Sequence, residues 1–159
     1  MTLKIEPVGT VVGGHQQLGD TYWGGVESVI RLNPGFPAEA VRGLDEFSHL
    51  VVTWHFSLAS ASDVILGARG PRDGQRRHPS GAGTFAHRDH RRPNQLATSF
   101  PRLLRIDGLD LHVTDLDAID GTPVYDLGPY FTVTGPQGVV REPAWPAETL
   151  RDYWALWTV

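Results

Sequence analysis

The chain contains no cysteine. That excludes disulfides and thiolate metal sites, and it leaves the redox compartment unread. No apolar run approaches the roughly 18–20 residues that span a bilayer. The opening, MTLKIEPVGT, lacks a charged region followed by an apolar one, so no signal peptide is predicted and a cytoplasmic protein is expected. Phosphate and dinucleotide signatures are missing too: there is no Gly-x-Gly-x-x-Gly after a strand, no P-loop and no His-Glu-x-x-His. Gly81-Ala82-Gly83 follows no strand and has no third glycine. No serine sits in a Gly-x-Ser-x-Gly elbow, which removes the hydrolase reading. His87 and His90 have no third ligand of clear spacing behind them, so no metal site is predicted.

What is present points to an extended, β-rich chain. Its 159 residues suit about one domain. The expectation is a single unit over 1–159, with a Trp-rich helix or tail at 143–159 and no additional C-terminal domain. Gly (18) and Pro (12) punctuate the sequence at short intervals, as a β-dominated fold requires. KIEPVGTVVG reads as a first strand ending at Gly13-Gly14, and Val26 to Leu32 as a second, stopped by Asn33-Pro34-Gly35. FPAEAVRGL fits one short helix. HLVVTWHFSL is a near-continuous β-branched and aromatic run, hence a buried central strand, with His55 read as a core or cofactor-lining residue. Residues 66–83 have no periodicity and read as a long loop. QLATSFPRLLRI resumes as a strand with Pro101 at an edge or bulge. GLDLHVTDLDAID, GTPVYDLGPYF and FTVTGPQGVVRE supply further extended segments. PAWPAETLRDYWALW is the best second helix, placing Leu150, Trp154 and Trp157 on one face. The prediction is therefore a mainly β fold: a closed or nearly closed antiparallel-rich β-barrel of about seven or eight strands with one or two short helices.

The charge is segregated. Net charge is −4, yet Arg69 to Arg92 holds seven Arg against two Asp, and Asp107 to Asp126 holds six Asp with no Lys or Arg. Both segments read equally as solvated surface or as two halves of a ligand site, since a local basic patch can serve an anion on an acidic molecule.

Four segments together resemble the TrmO/YaeB (TsaA-like) family of S-adenosylmethionine-dependent methyltransferases. PVGTV looks like the family's opening strand. AVRGLDEFSHLVV is similar to its GL-x-x-FSHL segment, GTFAHRDHRRPN to its G-x-FATR-x-x-x-RPNPIG-x-S loop, and LDAIDGTPVYDLGPY to its LD-x-x-DGTPV-x-DIKPY segment. The resemblance implies a TsaA-like barrel without a Rossmann fold, with S-adenosylmethionine as cofactor held near a homodimer interface. It implies methylation of N6 of threonylcarbamoyl-adenosine beside a tRNA anticodon. Carried over by position, it assigns cofactor contact to Arg88, Ser99, Asp115, Leu116, Asp117 and Ala118. Ser57 and Leu58 fall on a contact pair after the buried strand, and Trp23 near a further contact. Beside this, Arg91 and Arg92 are candidates for guiding an anionic substrate. Asp120 and Tyr130 are candidate catalytic proton acceptors, with Asn94 positioning. The pattern departs from the family at Gln95-Leu96-Ala97, where Pro-Ile-Gly is usual, so a looser turn is expected. It departs again at Gly128, where the family has a lysine. A small-molecule acceptor and a non-catalytic module binding S-adenosylmethionine or RNA stand as alternatives.

Overall fold

The computed structural model describes residues 1–19, 21–69 and 81–158. Seven strands form: β1 Gly9–Val12, β2 Glu27–Leu32, β3 Leu50–His55, β4 Leu96–Ser99, β5 Arg102–Asp107, β6 Asp110–Thr114 and β7 Pro123–Pro129. One α-helix, α1, covers Trp145–Thr149, and short 3-10 turns fill several connections. All strand pairs are antiparallel, in one sheet of order β4-β3-β7-β1-β2-β6-β5.

Alternation sets the register. In β3, Leu50, Val52 and Trp54 point inward while Val51, Thr53 and His55 are half-buried. In β2 the inward set is Ser28, Ile30 and Leu32, and in β6 it is Leu111 and Val113. The apolar members of these sets meet Val11, Val124, Leu116 and Ala118 in one core. A one-residue slip in any of these strands would turn its apolar set to water, so the pairing is strongly specified.

The run 96–106 forms two strands rather than the one expected. Phe100 and the buried Pro101 make a corner, and β4 and β5 end up on opposite edges of the sheet. The start of β5 then bonds to the start of β3: Leu103 N donates to Ser48 O at 2.8 Å, and Leu50 N donates to Pro101 O at 3.0 Å.

Three further expectations are corrected. Residues 37–43 do not make one helix. They give a 3-10 turn at Ala38–Val41, and Gly43 then adopts φ 84° ahead of a second turn at Leu44–Glu46. FTVTGPQGVVRE contains no strand: Gly135, Pro136 and left-handed Gly138 leave only a 3-10 turn at Thr132–Thr134. The C-terminal helix stops after five residues, with no side-chain cap and no basic residue in its last turn. Leu150, Trp154 and Trp157 therefore share no helical face. The arginines of the expected long loop at 72, 76 and 77 lie outside the described residues.

Candidate functional site

The arginine-rich loop is built around a buried cation. Arg69 is 5 % exposed. Its Nη1 donates to Asp89 Oδ1 at 2.5 Å and its Nη2 to Thr84 Oγ1 at 2.9 Å. Asp89 Oδ1 also accepts from the Arg91 amide at 3.1 Å. Burial pushes the Asp89 carboxyl up, but the Arg69 hydrogen bond and charge, with help from Arg91, outweigh it and hold the group below its usual range. Arg92 turns inward, its Nη1 donating to His87 O at 2.8 Å. Arg91 is half-buried, and its carbonyl accepts from Ile65 N at 3.0 Å. Arg88 differs: it is exposed, with one recorded bond, from Nη2 to the Thr98 carbonyl at 2.8 Å.

Gln95 does not loosen the loop as expected. It is buried, adopts φ 51°, and its Nε2 donates to both Ser60 O (2.9 Å) and His90 O (3.1 Å). Its carbonyl accepts from Phe56 N at 3.0 Å. One amide side chain thus ties the turn after β3 to the arginine loop. Proline cannot occupy this backbone conformation, because its ring fixes φ near −65°.

The aspartate-rich segment divides its labour. Asp115, at φ 62°, accepts from Gly25 N at 2.8 Å. Asp120 accepts from Gly13 N at 2.8 Å and so holds the turn after β1. Leu116 and Ala118 point into the core, leaving only their backbone for a ligand. Asp117 alone turns toward β4. Its Oδ1 accepts from Ser99 Oγ and its Oδ2 from Tyr153 Oη at 2.5 Å. Trp54 Nε1 donates to the same Ser99 Oγ at 2.9 Å. Arg88 and Asp117 therefore attach to consecutive residues of β4, one through the Thr98 carbonyl and the other through the Ser99 hydroxyl.

The other sequence candidates scatter around this centre. Ser57 and Leu58 lie exposed on the turn that Gln95 secures. Trp23 is fully buried, its Nε1 bonded to Gly19 O at 2.9 Å and its ring edge-on to His15. Tyr130 packs edge-on to Phe100 at 5.7 Å, with its amide on His49 O. Asn94 is exposed beside Gln95. Among the described residues no hydrogen bond or ring contact joins Asp120, Tyr130 or Asn94 to Arg88 or Asp117. Sequence reasoning missed Arg69 and Tyr153. Arg69 was one arginine among seven, and Tyr153 was assigned to a helix that does not extend that far. A shallow cleft of about 410 Å³ lined by Thr10, Arg31, Leu32, Asn33, Leu109 and Asp110 contains none of these groups. Among the described residues no cluster of three His, Asp or Glu is arranged for a metal, and no helix is long and apolar enough to cross a membrane.

The fold and site define a class: a single antiparallel sheet whose edge strand gathers an arginine loop and an aspartate loop. Residues 20–134 match the tRNA-methyltransferase O N-terminal domain. The chain belongs to this family, the TrmO family. It is 33 % identical over 135 residues to a protein of Methanothermobacter thermautotrophicus named "Probable S-adenosyl-L-methionine-binding protein", covering 82 % of this chain and 92 % of that one. A similarly named Pyrococcus abyssi protein is 32 % identical, with 74 % of this chain and 57 % of that one covered. The Escherichia coli tRNA (adenine(37)-N6)-methyltransferase is 37 % identical over 97 residues, with 58 % and 40 % covered. The crystal structure of TrmO from Pseudomonas aeruginosa superposes with a TM-score of 0.71 at 25 % identity, covering 90 % of this chain and 61 % of that one. The chain thus covers less than two thirds of the Pyrococcus, Escherichia coli and Pseudomonas relatives, and under half of the Escherichia coli one.

Proposed function

We propose that this chain is an S-adenosylmethionine-dependent methyltransferase whose acceptor is the N6 nitrogen of threonylcarbamoyl-adenosine in tRNA. The observation that carries the reading is that Arg88 and Asp117 bond to the consecutive residues Thr98 and Ser99 of β4. The donor set suits the cofactor. Arg88 spends one recorded N–H within the protein, so its remaining donors can take a carboxylate. Asp117 offers negative charge for a cationic centre. Ser57, Leu58 and the backbone of 115–118 would border the adenosine, and Trp23 would support that wall from beneath. The relatives named as S-adenosylmethionine-binding proteins and as tRNA methyltransferases support both cofactor and acceptor.

When bound, the cofactor supplies a methyl carbon already activated by its sulfonium, so the protein's task is alignment and proton removal. The new N–C bond forms as the S–C bond breaks, and the proton of the acceptor nitrogen must leave. Asp120 keeps its Oδ2 for that proton, and Tyr130 is the second candidate, with Asn94 positioning the acceptor. Arg91 and Arg92 would guide phosphate. We read the curled sheet as a nearly closed barrel, supported by the bonds between the starts of β3 and β5. We also place the protein in the cytoplasm as a homodimer. The exposed Phe131 and Phe100, packed on half-buried Phe47 and Tyr130, support self-association.

One observation favours a second reading, a small-molecule acceptor. Arg69 and Arg92 spend guanidinium N–H groups inside the protein, and Gly128 replaces a family lysine, leaving fewer cations for RNA. Incubating the full chain with labelled S-adenosylmethionine and tRNA from cells lacking the protein, followed by nucleoside mass spectrometry, separates the readings. A methylated threonylcarbamoyl-adenosine is expected. Cofactor binding without tRNA labelling would favour the small acceptor, and no cofactor binding would remove both. Asp120→Ala or Tyr130→Phe at full turnover would take that residue out of the mechanism.

A further inference from the structure

The C-terminal segment lies beyond the residues that match the family, yet it returns to the site. Tyr22 N, Trp23 N and Gly24 N donate to the carbonyls of Asp152 (3.0 Å), Tyr153 (2.8 Å) and Ala155 (3.2 Å), and Trp157 N donates to Gly24 O at 3.2 Å. Trp157 stands edge-on to His15 with ring centres 4.6 Å apart, and Trp145 lies 5.3 Å from His87. The segment is a strap laid from the arginine loop to the turn after β1. At its middle, Tyr153 reaches Asp117.

The proton directions in this cluster are fixed by chemistry. An indole N–H can only donate, so Trp54 makes Ser99 Oγ an acceptor. The one proton of Ser99 is then left for Asp117 Oδ1, while Tyr153 gives its proton to Oδ2. Both carboxylate oxygens accept, which is the demand of the ionised form. Among the described residues no Arg, Lys or His forms an ion pair with Asp117. Hydroxyls orient this partly buried charge, and none of the described cations pairs with it.

We propose that Tyr153 is a positioning residue that aims Asp117 at the sulfonium of the cofactor, so that the strap helps the site prefer the charged methyl donor over its neutral thioether product. The inference rests on the cofactor reading above. S-adenosylmethionine and S-adenosylhomocysteine differ at the sulfur by the methyl group and its positive charge, so the pair tests it directly. Binding of each is measured by calorimetry on the full chain, wild type and Tyr153→Phe, beside a melting curve. Wild type should prefer the sulfonium. In Tyr153→Phe its affinity should fall by about tenfold, while the thioether changes by less than about twofold. Equal losses for both ligands, or no loss for either, would overturn the assignment and leave Tyr153 a packing residue. Wild type binding neither ligand would instead overturn the cofactor reading itself. Tyr153→Phe keeps the ring and removes only the hydroxyl, so folding is preserved for the comparison.

Discussion

At Asp89 two opposing effects meet, and the ion pair outweighs burial. Its folded-state pKa lies below its unfolded one, so the folded protein binds that proton less readily. The stabilisation is complete above the ordinary aspartate value of 3.8 and is lost as pH falls through the depressed value. Asp89→Asn should cost about 3 kcal/mol near neutral pH, because it strands a buried guanidinium. The gap from wild type should shrink below about pH 4, as read by urea denaturation across a pH series. A gap that stays constant with pH would mean that the ion pair is not its source. Gln95 shows a different kind of local control. Its two carbonyl partners, Ser60 and His90, come from separate loops, and its φ of 51° closes the turn into β4. Nothing in the string RPNQLA announces a left-handed glutamine, since that conformation is imposed by partners distant in sequence.

The strands were legible because their inward positions alternate strictly: Leu50, Val52 and Trp54 in β3, Leu111 and Val113 in β6. The strap was not. Its aromatic spacing imitates a helix, but its carbonyls at Asp152, Tyr153 and Ala155 accept from Tyr22, Trp23 and Gly24, and no local period encodes such partners. Position 24 shows why glycine is needed there: a Cβ would collide with the Trp154 carbonyl. Gly24→Ala should therefore lift the strap while sparing the sheet. Hydrogen exchange should accelerate at residues 22–24 and 153–157 but not in β2, β3 or β6, and Trp fluorescence should shift to the red. Unchanged exchange at 153–157 would show that the strap holds by its side chains alone. The same distinction applies to the site. The arginine and aspartate segments could be picked out from composition, but which of their members meet depended on β4. Asp115 and Asp120 are committed to Gly25 and Gly13, whereas Asp117 is the one that joins Ser99.

For the whole molecule, self-association is the first quantity to measure. Sedimentation equilibrium should return about twice the 17.5 kDa of the chain, and a mass of one chain would end the homodimer reading. The strand order has a kinetic side as well. Counted from the middle, the sheet is two leaves, β4-β3-β7 and β1-β2-β6-β5, joined where Gly9 and Thr10 meet Val124 and Pro123. Neither leaf is encoded by a continuous stretch. The chain writes β1 and β2, crosses for β3 and β4, returns for β5 and β6, and crosses once more for β7. That central seam joins the first strand to the last, so loop closure makes it the slowest pairing to form. The leaf β1-β2-β6-β5 has all its strands once Thr114 is made, whereas β3 and β4 lack the third strand of their leaf until β7 follows. The sheet must wait for β7 before its two halves are joined.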